Sequence, residues 1–230
     1  MILLTGGSGN LGRELMKLGE FIAPTHQELD LEDDKLFLPI KVDLIVHCGA
    51  FTIPIEADKF PHKCYNTNVL GTRRLSKLGF PLLYISTEYV FDGEKGNYCE
   101  EDYPNPLNFY SLTKLLGEYE AIALGGKVVR GMFKPRPYRH KEVFTDQYTS
   151  GDYADVMAKE LMLVIKNYDL LPPIIHIGFE RKSTFELAKQ TIEPVPISID
   201  SIKNIRLPKD TSLNTTKWKE LKRDSRFRSM

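Results

Sequence analysis

The sequence predicts an α/β fold, a doubly wound parallel sheet followed by a small, shortened carboxyl-terminal lobe. Three observations predict it. The chain opens with an apolar run, Ile2-Leu3-Leu4, that leads into the turn Gly6-x-x-Gly9-x-x-Gly12 and on into leucines at helical spacing, Leu11, Leu15 and Leu18. Strands and helices then go on alternating, which calls for right-handed crossovers between parallel strands. The run Leu44-Ile45-Val46 is apolar without alternation, the pattern of a strand buried on both faces.

At 230 residues with 42% hydrophobic content the chain can build a packed core. Lys plus Arg and Asp plus Glu both number 31, so no overall field favours nucleic acid or a membrane surface. The chain starts directly on a core strand, without a basic segment leading into an apolar one, and no apolar run approaches the ~20 residues that span a bilayer. A cytoplasmic protein is expected. Cys48, Cys64 and Cys99 are odd in number and scattered, and the five histidines show no ligand spacing, so neither a disulfide framework nor a metal site is indicated.

Taken in order, the first strand, the glycine turn and the first helix are followed by a second short strand at 21–23. An acidic, abbreviated connection covers 28–34. The third strand lies in 42–50, a helix in 64–79 and the fourth strand in "PLLYIST". The next loop, of roughly twenty residues, is long for a compact domain, and loops of that length are usually functional. A helix over 109–123 and the strand "KVVRGMF" complete a first unit, 1–135. Residues 136–230 form the smaller lobe, with the helix and strand at about 152–178 packing back onto the first unit. That helix turns Val156, Leu161, Val164 and Ile165 inward; "IIHIG" is a strand and "TFELAKQ" a short helix. The basic end, "TTKWKELKRDSRFRSM", reads as a solvated terminal helix, because Glu220 and Asp224 dilute its charge and no aromatic stacking platform accompanies it.

Ligands of open parallel sheets bind beyond the carboxyl ends of the strands, so strand ends carry the chemistry. At the first, Gly6 permits a tight turn, Gly9 lets the backbone approach a pyrophosphate, and Gly12 lets the helix pack close. The alternative is a turn that only reverses the chain. The second strand end is "HCGAFT", small residues against which a cofactor could lie, and the third is "YISTEYVFDG", with Ser86 and Thr87. Further on, "YSLTK" sets Tyr110 and Lys114 four apart on one helix face.

The strings "TGGSGNLGREL", "STEYVFDG", "NPLNFYSLTKLLGE", "TDQYTSG" and "RLPKDTSL", in that order, resemble the extended short-chain dehydrogenase/reductase family and, within it, its dTDP-4-dehydrorhamnose reductase branch. The resemblance implies a Rossmann-like domain, NADPH or NADH as cofactor, a nucleotide-sugar substrate in the small lobe and, as an assembly, a homodimer. It implies Thr87, Tyr110 and Lys114 as catalytic residues. Tyr110 would donate the proton to a carbonyl oxygen that accepts hydride at its carbon, Thr87 would orient that oxygen, and Lys114 would hold the nicotinamide ribose. A free tyrosine titrates near 10, and the Lys114 ammonium one turn away is expected to bring it toward neutrality. Cofactor contacts would come from Gly6, Gly9, Asn10, Leu11, Gly12, Asp30, Leu31, Cys48, Gly49, Ala50 and Ser86 besides Tyr110 and Lys114. Substrate contacts would come from Thr52, Thr87, Glu88, Tyr89 and Phe133, with Asn68 helping to build the site.

Some positions depart from that branch. Glu88 stands where relatives carry Asp, Phe133 where they carry a sugar-packing Trp, and "FTIPI" where they carry "YTAVD". The chain is also shorter than the family's usual length. The leading expectation is an NAD(P)H-dependent reductase of a nucleotide-activated 4-keto-6-deoxy sugar. A 4,6-dehydratase would need an Asp-Glu pair after the Thr, and here Glu88 is followed by Tyr89. A sugar-nucleotide epimerase would use the same Tyr and Lys. The alternative from another class is a non-catalytic NAD(P)-binding subunit resembling the regulatory subunit of methionine adenosyltransferase.

Overall fold

Parallel pairing of β1 (Ile2–Thr5) with β2 (Leu44–His47) starts the sheet, in a computed structural model that describes residues 1–227. Between them runs α1 (Asn10–Met16). After β2 come α2 (Pro54–Ala57), then α3 (Pro61–Tyr65), a π-helical turn at Asn66–Leu70 and α4 (Gly71–Ser76), which together make one continuous helical run. β3 (Leu82–Ile85), α5 (Phe109–Ala123) and β4 (Lys127–Arg130) follow. The second half is built of short pieces: β5 (Phe133–Lys134), β6 (Glu142–Phe144), β7 (Tyr148–Thr149), β8 (Asp152–Tyr153), the long α6 (Ala154–Lys166), β9 (Ile174–His176), β10 (Lys182–Ser183), α7 (Thr184–Ala188), β11 (Val195–Ile197) and α8 (Thr216–Leu221). Among the described residues no helix is long and apolar enough to cross a membrane.

The central sheet has the order β1-β2-β3-β4-β9 and every pairing is parallel, as the unalternating apolar runs require. Successive strand residues serve opposite faces. On one face Leu4, Val46, Leu83, Val129 and Ile175 pack on α1, α6 and Trp218. On the other, Leu3, Ile45, Tyr84 and Val128 meet Leu75 of α4 and Ala121 of α5. Both faces are thus covered by helices. β9 is a strand of this sheet and α6 lies beside α1 against it.

Two expectations need correcting. The strand expected at 21–23 is only a single bridge, Ile22 beside Leu3 on the free edge of β1. Pro24 has no N–H with which to extend the ladder, and 24–43 runs as turns and irregular chain. The terminal helix is not simply solvated. Trp218 is 0% exposed, enclosed by the α6 side of the core, edge-on to Phe227, with its indole N–H donating to Glu160. The last three residues of that basic stretch lie outside the described residues.

Candidate active site

The glycine turn follows the first strand at a reversal of winding. Ile22 lies on one side of β1 and β2 on the other, so the chain reverses its winding direction at β1, the place where open α/β sheets bind ligands. Gly6 has φ +72°, and a Cβ there would fall 2.6 Å from Gly49 N and 2.8 Å from Cys48 C. Gly12 is equally constrained, for its Cβ would fall 2.3 Å from Gly6 O. Gly9 differs. It caps α1 with no side-chain bond, and a Cβ on it would meet only Gly6 O, at 3.2 Å, with open space beyond. Asn10 is exposed and Leu11 is buried under α1. Thr5 Oγ1 accepts from Gly49 N at 3.2 Å and lies 2.6 Å from His47 Nδ1, which fixes the Cys48–Ala50 backbone across from the turn. Burial, and then the Lys114 charge, hold His47 down to about 3, so its ring is neutral.

The third strand end faces α5. Asn108 caps that helix by accepting from Ser111 N at 2.9 Å, and the helix presents Tyr110 and Lys114 to the end of β3. Lys114 is 3% exposed and donates from Nζ to Ile85 O at 2.8 Å, with its ammonium 4.1 Å from the centre of the Tyr84 ring. Burial lowers it to about 7. The Tyr110 phenol, by contrast, is pushed up by burial, with a hydrogen bond to Thr87 pulling the other way. This corrects the expected electrostatics. Lys114 does not bring Tyr110 toward neutrality; the cation that acts on the phenol, weakly, is Lys134, a residue outside the Tyr-x-x-x-Lys pattern. A lysine at the end of a two-residue strand has no periodic mark, and only the pairing of β5 with β8 turns it this way.

The remaining residues divide. Thr87 Oγ1 accepts from Tyr89 N at 3.2 Å and so opens the Glu88–Val90 turn. Tyr89 is half-buried, its phenol oxygen accepting from Gln147 Nε2 at 3.0 Å. Glu88, expected on the substrate side, is buried with its two oxygens taken by Thr149 and Thr211, each at 2.8 Å, and burial raises it to about 7. It fastens the turn to the carboxyl-terminal segment. Ser86, expected at the cofactor, turns its hydroxyl to Glu118, which is paired with Arg130 at 2.7 Å beneath the site. Asn68 lies in the π-helical turn, a feature frequent at functional sites, and grips the Phe51 backbone at both ends: Phe51 N donates to Oδ1 at 2.8 Å and Nδ2 donates to Phe51 O at 3.1 Å. Phe133 is half-buried against the core near Gly131, and Thr52 is exposed. Leu31 packs toward Gly49, while Asp30 caps Glu32 N at 2.8 Å in the adjoining turn. Among the described residues no group of three or more His, Cys, Asp or Glu could hold a metal ion.

Residues 1–130 match the RmlD substrate binding domain family. Among curated proteins, the chain is 30% identical over 185 residues to the dTDP-4-dehydrorhamnose reductase of Aggregatibacter actinomycetemcomitans, covering 74% of this chain and 58% of that protein. It is 36% identical over 153 residues to methionine adenosyltransferase 2 subunit beta of Bos taurus, covering 56% and 45%. The chain spans about half the length of the curated relatives it matches. Among solved structures, a hypothetical dTDP-4-dehydrorhamnose reductase from Sulfolobus tokodaii superposes with a TM-score of 0.80 at 30% identity, over 100% of this chain and 97% of that one. A Bacillus anthracis dTDP-4-dehydrorhamnose reductase, in complex with NADP, shares the fold at a TM-score of 0.81 and 23% identity, over 95% and 92%.

Proposed function

We propose, from the premise that the chain belongs to the RmlD substrate binding domain family, that it reduces a nucleotide-activated 4-keto-6-deoxy sugar with NADPH or NADH. The observation that carries this reading is an unbroken line of suitable groups. Gly6 abuts Cys48 and Gly49; the Lys114 charge is felt at Cys48; Tyr110 lies one helical turn from Lys114; and the Thr87 hydroxyl is close enough to Tyr110 to act on its phenol. The glycine cradle fits a dinucleotide, since a Cβ on Gly9 would occupy the space left open above the turn. When bound, the reduced nicotinamide supplies the hydride.

The chain's own residues do the rest. The backbone at Gly9 and Asn10 receives the pyrophosphate. Lys114 gives one N–H to Ile85 O and turns its others to the ribose hydroxyls. Thr87 donates to the sugar carbonyl oxygen and fixes its direction. Tyr110 holds the proton that this oxygen takes up, and burial keeps the phenol protonated until then. The likeness to methionine adenosyltransferase 2 subunit beta supports a second reading, a subunit that binds the dinucleotide without turnover. The retained Thr87, Tyr110 and Lys114 favour the enzyme.

The test is to incubate the purified protein with reduced cofactor and a 4-keto sugar nucleotide made by a dehydratase, following absorbance of the reduced nicotinamide. Oxidation that depends on the sugar supports the reductase. Cofactor binding without oxidation favours the subunit reading.

A further inference from the structure

Lys134 stands beside Tyr110 with ring contact to Tyr138 but, among the described residues, no hydrogen-bonded or ion-paired partner. Side chains alternate along a strand, and its neighbour Phe133 packs on the core that includes α1 and α6. Lys134 faces the opposite way, among Tyr89, Tyr110, Tyr138 and Glu88, with its ammonium 5.7 Å from the centre of the Tyr138 ring. Among the described residues no hydrogen bond or ion pair reaches its Nζ. Among the described residues no fully buried side-chain nitrogen or oxygen is left unpaired, so this Nζ keeps some access to solvent.

The nearby acid does not neutralise it. Both Glu88 oxygens are held by threonine hydroxyls, and burial raises that carboxyl to about 7, so its charge is only partly formed at neutral pH. The residues that follow add positive charge. Lys134, Arg136, Arg139, His140 and Lys141 fall within eight positions that contain no acid. Arg136 is paired with Asp155, at 3.0 Å, while His140 is held down by burial and then by the charges of Lys134 and Arg139, which puts this basic rim beside Lys134. The tyrosines and Glu88 around Lys134 favour its charged form, and with both Glu88 oxygens held by threonines the ammonium keeps its N–H donors for a further anion.

We propose that Lys134 is an oxyanion-binding residue of the cleft, pairing with a negatively charged oxygen of the bound sugar nucleotide, either a carboxylate on the sugar ring or its diphosphate. The inference rests on the reading of the cleft as a nucleotide-sugar site, and it does not require hydride transfer. An ammonium beside Tyr110 faces the sugar ring; a carboxylate there would stand where a 6-deoxy sugar has its methyl, so that outcome would replace the 6-deoxy assignment with a uronic acid, while the diphosphate outcome is compatible with either. A charge-assisted contact in a desolvated cleft is among the stronger polar interactions, and its loss is read directly as affinity.

Calorimetric titration of the wild type, Lys134→Met and Lys134→Arg with UDP-glucuronic acid, UDP-glucose and UDP separates the sources. Lys134→Met is expected to lose at least about tenfold in affinity, or ~1.4 kcal/mol, for each ligand that carries the contacted oxyanion, and Lys134→Arg is expected to restore most of it. A loss confined to UDP-glucuronic acid assigns the ring carboxylate; an equal loss with all three assigns the diphosphate. Lys134→Gln, polar and uncharged, carries the same comparison if the methionine disturbs folding, as judged by the thermal midpoint. Affinities unchanged by loss of the charge, or a wild type that binds none of the three, would overturn the proposal. Charge-dependent binding of these ligands, together with no oxidation of reduced cofactor by the 4-keto sugar nucleotide, leaves it standing and removes the reductase reading. Sugar-dependent oxidation with affinities indifferent to Lys134 does the reverse.

Discussion

Burial pushes the two motif residues of α5 toward their neutral forms: it raises the Tyr110 phenol and lowers the Lys114 ammonium to about 7. A phenol that stays protonated suits a proton donor. Tyr110→Phe removes only the hydroxyl from a ring packed with Ala57, Cys64 and Phe51, so folding and cofactor binding should survive. Turnover should fall by roughly 10²–10⁴. Steady-state rates on a true substrate check this, and a variant that keeps most of its activity removes Tyr110 from the mechanism. A second outcome concerns pH. Burial and then the Arg130 charge hold His176 near 3, and burial and the Lys114 charge do the same for His47, while a histidine in the unfolded chain titrates at about 6.5. Between those values the unfolded chain binds protons that the folded chain refuses, so stability rises with pH by ~1.4 kcal/mol per pH unit for each histidine. Glu88, raised to about 7, works in the opposite sense from its ordinary 4.5 upward, which leaves the two histidines ahead. Denaturant titrations should therefore show stability falling as the pH drops below 6.5, with a shallower slope in His176→Gln. That Thr87 ends a strand and that Tyr110 and Lys114 share one helix face was legible in the sequence, because strand-end position and four-residue spacing are local features. Lys134 was not, since its direction depends on the β5–β8 pairing, and Glu88 was misread because its partners, Thr149 and Thr211, are remote in the chain.

The strand–turn–helix unit at the start of the chain uses its glycines for different physical reasons, and substitutions separate them. Gly12→Ala would drive a methyl to within 2.3 Å of Gly6 O and 2.7 Å of Gly7 Cα, so it should destabilise the fold itself. Gly9→Ala meets only Gly6 O, at 3.2 Å, and should leave the thermal midpoint of the free protein little changed. Its methyl would still stand where phosphate oxygens approach the main chain, against hydrogen bonds worth perhaps ~1.5–3 kcal/mol each, so dinucleotide affinity should fall at least about tenfold. Normal binding by Gly9→Ala would reduce the motif to a chain reversal. The element beside this turn bears on cofactor choice. Where strand two normally ends in an acid for NAD or a basic group for NADP, this chain has one bridge at Ile22 followed by Ala23, Pro24, Thr25 and His26. Dissociation constants for NADH and NADPH should lie within about tenfold, ~1.4 kcal/mol, and a hundredfold preference by calorimetry would contradict this. The central strands were readable because their apolar runs are continuous. Ile22 misled because a three-residue apolar stretch signals burial but not how far a ladder extends, and Pro24 stops it at once.

At the scale of the whole molecule, the two faces of one parallel sheet divide the work. One face is closed by the continuous α3–α4 helical run and by α5, the helix that carries Tyr110 and Lys114; the other is closed by α1, α6 and α8. The sequence showed α6 clearly through its apolar stripe, and Leu161, Val164 and Ile165 are buried in it, while Val156 is half-buried against the smaller cluster around Tyr153. It did not show that α8 closes the same face, because charge dominates that stretch and one tryptophan leaves no periodicity. Yet Trp218 is fully enclosed in the core cluster that also holds Leu161 and Ile165, with Phe227 edge-on to it, and its indole N–H and the Lys222 ammonium both reach Glu160. Removing such a side chain takes away transfer energy and leaves a cavity that a close-packed core fills only in part. Trp218→Ala should cost ~3–5 kcal/mol, which for a chain of this size corresponds to a thermal midpoint lower by roughly 10 °C. A solvated helix would behave differently, since exposed substitutions usually stay within about ±0.5 kcal/mol. Thermal melting of Trp218→Ala beside Lys219→Ala, whose side chain is exposed, discriminates the two: only the tryptophan variant should melt early, and equal midpoints would mean that α8 is not part of the core.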